Sequence, residues 1–244
     1  MRKKDQTGKI SEIICENFSA KVGENVLFEN INARFIPGEI TILYGPRGSG
    51  KSAFLRSIVN LNKEIYPGIE YSGKLLLDGK TTAEIDEKSL RQAITYLDTN
   101  FLESLDYLTL KELINLTFGK NFDFTVEKYA TALDDFGVLK ALYKFEKTPL
   151  SSLYVLEKIG LLLFISTLKQ SSVLVFDCLI DHLDDEHIEF VTKLLNDLSS
   201  ERTIILSTRT LKRFLGLGSV LLTMKSGKII YSGKPENFIL GVSQ

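Results

Sequence analysis

The segment best equipped for chemistry is Gly45-Pro46-Arg47-Gly48-Ser49-Gly50-Lys51-Ser52, followed by Ala53. It matches the spacing GxxxxGK(S/T) and sits between an apolar strand pattern and a helical pattern, the context that motif needs. Glycines let backbone N–H groups turn inward and approach phosphate oxygens with no Cβ in the way. A helix starting near Lys51 adds unpaired N–H groups and the positive end of its dipole. Lys51 supplies a mobile cation for β- and γ-phosphates, and the Ser52 hydroxyl a ligand for Mg²⁺. Asp177, closing the run Val173-Leu174-Val175-Phe176-Asp177, fits the second half of such a site. A carboxylate there holds Mg²⁺, usually through water. These residues predict binding of a nucleotide triphosphate with Mg²⁺ bound at Ser52 and Asp177.

The elements that must position this cradle are legible around it. The first 44 residues read as β structure: Ile31, Ala33 and Phe35 alternate with Asn32 and Arg34, the spacing of a strand with one buried face. Pro37-Gly38 marks a turn. Ile40 to Tyr44 reads as a strand buried on both faces, as in a parallel sheet. Lys51 to Asn60 reads as a helix with Phe54, Ile58 and Leu61 on one stripe. Leu75 to Lys80 reads as a strand ending in a turn. From Leu97 to Lys147 the pattern is mostly helical, without clear strands, and predicts an inserted lobe. Val173–Asp177 and Thr203 to Ser207 are further buried strands. Between them a helix starts near Asp185, with Ile188, Val191, Leu194, Leu195 and Leu198 toward the core, and Asp184-Asp185-Glu186 at its start suits the helix dipole. Val220 to Met224 and Lys228 to Tyr231, around Ser226-Gly227, read as a hairpin. Alternating strands and helices predict an α/β fold with a mainly parallel sheet, preceded by an antiparallel β region.

Composition bounds the function. The chain has 244 residues, 30 Lys plus Arg against 31 Asp plus Glu, and a net charge of −1. That near-neutrality argues against a nucleic-acid or anionic-membrane binder, which needs a basic field. Cys15 and Cys178 form no CxxC and lie far apart, which predicts a reducing compartment without a disulfide framework. The charged start, Met1-Arg2-Lys3-Lys4-Asp5-Gln6, is not followed by an apolar stretch, so no secretory signal is expected. The longest apolar run, Ile159 to Ile165, falls far short of the ~20 residues that span a bilayer. The expectation is a cytoplasmic protein without direct membrane insertion, reaching the inner face of the cell membrane through a partner.

With these motifs in place the chain resembles an ABC-type ATP-binding cassette, a P-loop NTPase, over nearly its whole length. The resemblance takes in the β-rich start, the cradle, the helical insert, the strand ending at Asp177, the turn Asp181-His182-Leu183-Asp184 and the strand before Thr208. The stretch Tyr66-Pro67-Gly68-Ile69-Glu70-Tyr71-Ser72-Gly73-Lys74-Leu75-Leu76-Leu77-Asp78-Gly79-Lys80 is similar in particular to the phosphate-importer ATP-binding subunit. The resemblance implies one cassette over 1–244, with a nucleotide-binding core (1–96 and 170–244) and a helical subdomain (97–169). It also implies a head-to-tail pairing of two cassettes with two ATP molecules between them, and a membrane permease subunit as partner. In such pairs each ATP touches one chain's P-loop and the other's Leu-Ser-Gly-Gly-Gln signature. The family adds a catalytic Glu after the strand-end Asp, a His after the next strand and a Gln entering the lobe.

This sequence departs at each of those positions. The signature reads Leu150-Ser151-Ser152-Leu153-Tyr154: Ser151 keeps a hydroxyl, while Ser152 and Leu153 replace the glycines, and their Cβ atoms are expected to crowd the facing γ-phosphate. Cys178 stands at the Glu position; a thiol mostly protonated at neutral pH is a poor base for water. Arg209 stands at the His position, a fixed cation with no acceptor. The Gln position falls at Thr99 or Asp98, and the adenine-stacking aromatic falls near Val22, which has no π face. Loss of a general base costs about 10²–10⁴ in rate, so slow or absent hydrolysis is expected while binding through the cradle survives. The rival expectation is a nucleotide-sensing regulator, a pseudo-ATPase without transport. His182 and His187 are five apart and read as solvated surface rather than a metal site. Phe101, Leu102, Leu105, Tyr107 and Leu108 enter the lobe; most are expected in its core and some along a groove for a permease helix.

Overall fold

In the computed structural model, which describes residues 9–145 and 149–242, the cradle is framed by two sheets. The charged start at Met1 to Gln6 and the end of the expected helical stretch at Lys147 lie outside the described residues. In chain order the elements are β1 (Ile13–Val22), β2 (Asn25–Phe35), β3 (Ile40–Tyr44), α1 (Lys51–Ile58), α2 (Asn62–Ile65), β4 (Ile69–Leu77), β5 (Lys80–Thr81), α3 (Glu87–Ala93) and β6 (Ile94–Asp98). Then come α4 (Thr99–Ser104), α5 (Leu110–Phe118), α6 (Ala130–Asp135), α7 (Leu139–Phe145) and α8 (Val155–Leu168). The chain ends on β7 (Val173–Asp177), α9 (Asp185–Ser199), β8 (Thr203–Thr208), β9 (Val220–Lys225), β10 (Lys228–Gly233) and α10 (Pro235–Val242).

The first sheet has the order β2-β1-β4-β5 and is antiparallel throughout. The second has the order β10-β9-β3-β8-β7-β6, parallel except at its β10–β9 edge. The expected strand alternation holds in β2, where Ile31 and Phe35 are buried while Asn32 and Arg34 are exposed. The unbroken apolar runs of β3, β7 and β8 are central strands with both faces covered. On β7, Val173 and Val175 join the core shared with α1 and the antiparallel sheet. Leu174 and Phe176 join the core shared with α8, α9 and the lobe. Phe54, Leu55 and Ile58 of α1 are fully buried in the first of these cores, against Phe28 and Phe35. The helix that carries Lys51 is thus held from both sides.

Two expectations change here. The helical stretch was expected from Leu97 without strands, but Leu97 and Asp98 complete β6, pairing in parallel with Phe176 and Asp177. The signal was weak because β6 is an edge strand of mixed polarity, Ile94-Thr95-Tyr96-Leu97-Asp98. The helix expected to Asn60 ends at Ile58, as Asn60 adopts a left-handed φ of 59°. The run Ile159 to Ile165 lies in α8 and is buried all round, a core helix rather than a bilayer span. Among the described residues no helix is long and apolar enough to cross a membrane.

Candidate functional site

The loop from Gly45 to Gly50 is shaped by contacts from four directions. Gly45 N–H donates to the Thr208 carbonyl at the end of β8, at 3.2 Å. Gly227 N–H, in the β9–β10 turn, donates to the Ser49 carbonyl at 3.0 Å. A Cβ on Gly45 would meet the Met224 carbonyl oxygen at 2.2 Å, so no larger residue fits there. Gly50 caps α1 at a φ of 99°, a region L side chains rarely adopt, and a Cβ there would lie 2.6 Å from the Leu27 carbonyl oxygen. Lys51 is 5% exposed, and its ammonium donates to the Gly45 carbonyl at 2.6 Å, the Pro46 carbonyl at 3.0 Å and Ser49 Oγ at 3.4 Å. Burial lowers its pKa from the ordinary lysine value; nearby Cys178, Asp177 and Asp181 act the other way and Arg209 adds to the lowering.

These residues open onto a cavity of about 610 Å³. Arg47, Gly48, Ser49, Gly50, Lys51, Ser52 and Ala53 line it from the loop and α1, with Asp177, Cys178 and Arg209 opposite. Gly45 and Pro46 support the loop from behind. The donor set fits Mg²⁺ with a polyphosphate: a loop of backbone N–H groups, a buried ammonium, and hard oxygen ligands on Ser52 and Asp177. Asp177 is 5% exposed; Ser207 Oγ donates to its Oδ1 at 2.8 Å and Tyr96 OH to its Oδ2 at 2.8 Å.

Cys178 follows with a left-handed φ of 51°. Its N–H donates to Ser207 Oγ at 2.9 Å, and its Sγ lies 3.4 Å from that hydroxyl. Burial, the leading cause, raises its thiol pKa; the negative charges of Asp177 and Asp181 add to this, against the Ser207 hydrogen bond and the Lys51 charge. These effects favour the neutral thiol over the thiolate. Arg209 is paired with Asp181, Nε to Oδ2 at 3.4 Å. Asp181 also accepts from the hydroxyls of Thr208 and Thr210 and from the Arg209 N–H, so it braces Arg209, which does line the cavity. Asp184, by contrast, caps α9 by accepting from the His187 N–H at 2.9 Å. His182 is exposed, as expected of a solvated surface residue, and also lines the cavity, while His187 pairs with Asp184 at 2.9 Å.

The other expected positions divide. Asp98 and Thr99 both line the cavity, at the junction of β6 and α4. Asp98 caps α4 by accepting from the Phe101 N–H at 2.8 Å and faces Arg56 at 3.6 Å. Val22 is not in the lining; Asn25, Val26 and Leu27 of β2 form that wall, with Val26 53% exposed. In the signature region, Ser151 and Ser152 are exposed but Leu153 is buried in the lobe core beside Leu150. The crowding expected from the Leu153 side chain is therefore corrected: it points inward, and the exposed bulk is Tyr154, at 79%. The cause is the 3₁₀ turn Leu150–Ser152, which carries position 153 to the inner face before α8 begins.

Among the lobe-entry residues, Leu102 and Leu105 are core, Leu108 is partly buried against it, and Tyr107 is 89% exposed. Phe101 lines a second, more apolar hollow of about 510 Å³ between the core and the lobe, with Val59, Ile65, Leu97, Leu113 and Leu162. Among the described residues no cluster of three or more His, Cys, Asp or Glu is placed to hold a metal ion by itself. The sequence reading missed Tyr96, Arg56 and Ser207, which surround Asp177. The available signal was positional: Tyr96 alternates with Asp98 on one strand face, and Arg56 follows Lys51 on α1.

A phosphate-binding loop between β3 and α1, a strand-end aspartate on β7 and a helical insert define a P-loop ATP-binding cassette domain. The family model described as "ABC transporter" matches residues 28–177, and the chain belongs to that family. It is 28% identical over 221 residues to the petrobactin import ATP-binding protein FpuC of Bacillus anthracis, covering 88% of this chain and 79% of that one. It is 25% identical over 234 residues to the phosphate import ATP-binding protein PstB of Thermotoga maritima, covering 93% and 92%. Among solved structures, cbiO1 of Clostridium perfringens, part of the ABC transporter complex cbiONQ, aligns with a TM-score of 0.71 at 20% identity, over 95% of this chain and 92% of that one. That last likeness concerns the fold.

Proposed function

We propose that this chain binds Mg-ATP and serves as the ATP-binding subunit of an ABC importer whose hydrolysis is weak or supplied by a second cassette. The observation that carries this is the cavity in which the Lys51 loop faces Asp177 and Cys178. In this reading the loop N–H groups from Arg47 to Ala53 and the Lys51 ammonium hold the phosphates, and Ser52 with Asp177 holds Mg²⁺. Mg²⁺ held by these residues would supply neutralisation of phosphate charge. Cys178, protonated and raised in pKa, does not take a proton from water. In this reading the chain is one cassette with a core over 1–96 and 170–244 and a helical lobe over 97–169, and the end of β6 at Asp98 favours a core boundary two residues later. The apolar hollow beside Phe101 suits a helix of a permease subunit, which would place the chain at the cytoplasmic face of the membrane. Import is supported by relatives named for petrobactin and phosphate import; the Tyr66–Lys80 resemblance favours phosphate.

The test is calorimetry of the purified chain with ATP and Mg²⁺, followed by turnover. Saturable binding lost in Lys51→Ala, with turnover far below that of a complete cassette, supports the reading. Absence of binding overturns it, and full turnover sensitive to Lys51→Ala overturns the impairment.

A second reading, a nucleotide-sensing pseudo-ATPase without transport, is favoured by one observation: Arg209 is engaged by Asp181 rather than free. Co-purification of a permease from native membranes supports transport; its absence supports sensing.

A further inference from the structure

A chain of polar contacts runs from α1 through β6 to the carboxylate of Asp177, and the motifs account for none of it. Arg56 Nε donates to Tyr96 OH at 3.2 Å, and Tyr96 OH donates to Asp177 Oδ2 at 2.8 Å. The Arg56 guanidinium also lies 3.6 Å from Asp98 Oδ2. We propose that Tyr96 is the positioning residue of the Mg²⁺-holding carboxylate, with Arg56 orienting the phenol. This inference rests on the nucleotide-binding reading of the cavity and assigns a role inside it.

The chemistry supports this direction of donation. Arg56 has donors only, so the phenol oxygen must accept from it and can pass only its own hydrogen onward. A tyrosine phenol, with an ordinary pKa of about 10, keeps that hydrogen at neutral pH. Asp177 then has one donor on each oxygen, Tyr96 on Oδ2 and Ser207 on Oδ1. Two fixed donors set the plane of the carboxylate and leave its remaining lone pairs directed for metal-bound water. Arg56, Asp98 and Asn100 line both the cradle cavity and the apolar hollow beside it, and Tyr96 lines the hollow.

The experiment measures ATP affinity with Mg²⁺ and with EDTA, for the parent chain, Tyr96→Phe and Arg56→Gln. The parent is expected to bind more tightly with Mg²⁺. Tyr96→Phe keeps the ring and loses the donor; it is expected to shrink the Mg²⁺-dependent gain by about fivefold while leaving affinity in EDTA within about twofold. Arg56→Gln is expected to shrink the gain in the same direction and less. A merely structural role would change both affinities together. An unchanged Mg²⁺-dependent gain in either variant, or equal losses in Mg²⁺ and EDTA, overturns the proposal. A parent that binds no nucleotide under either condition instead overturns the nucleotide-binding reading.

Discussion

Arg209 is fastened to Asp181 twice, by a backbone N–H to Oδ2 at 2.9 Å and by Nε to the same oxygen at 3.4 Å. Asp181 is a 4%-exposed carboxylate, and its other oxygen accepts from Thr208 and Thr210. It ties the turn after β7 to the turn after β8. Asp181→Ala leaves a buried hydroxyl and a cation without their acceptor, and is expected to lower stability by about 2–3 kcal/mol. Urea unfolding checks this; a loss below about 0.5 kcal/mol would show the contact is that of an exposed ion pair.

Leu153, expected at a signature-glycine position, packs in the lobe core. Leu153→Ala is expected to cost about 2–4 kcal/mol by lost burial and a residual cavity. Ser152→Ala, at an exposed position, is expected to stay within about 0.5 kcal/mol. Equal effects in thermal or urea melts would contradict the inward placement.

Lys51 and Gly50 act on binding by different routes. Lys51→Ala removes the cation and is expected to weaken ATP affinity by about tenfold to a hundredfold with the fold retained. Gly50→Ala puts a methyl group 2.6 Å from the Leu27 carbonyl oxygen at a φ of 99°. It is expected to abolish binding and also to lower the melting temperature. Calorimetry paired with circular dichroism separates the two.

Cys178 offers a pH readout. Its pKa is raised, so at any given pH less thiolate is present than for a free cysteine, whose pKa is about 8.5. Alkylation by iodoacetamide should be slower than for glutathione at pH 7.5 and should accelerate at higher pH than it does for glutathione. Cys15, buried and pushed up to about 12, should stay unlabelled in the folded chain. Peptide mass spectrometry over a pH series measures both. Labelling of Cys178 as fast as glutathione at pH 7.5 would contradict a neutral thiol.

The parts of the site legible in the sequence were those written in neighbouring residues. Gly45 to Ser52 carries its chemistry in local spacing, and β7 announces itself by five buried positions ending in Asp177. Tyr96 was hidden because its meaning comes from a partner 81 positions away. Leu153 was misjudged because family alignment gives a position and not a direction; the preceding 3₁₀ turn sets the direction. β6 was folded into the helical stretch because an edge strand of five residues carries too little periodicity to stand out.

The β9–β10 turn that reaches back to Ser49 lies downstream of residue 177, where the family match stops. Met224 and Gly227 work as a splint from the far end of the chain, so the phosphate grip is assembled only after nearly all of the polypeptide is in place. A ribosome-bound nascent chain halted just past Asp177 would carry every residue of the motif and still lack the brace that sets its curve.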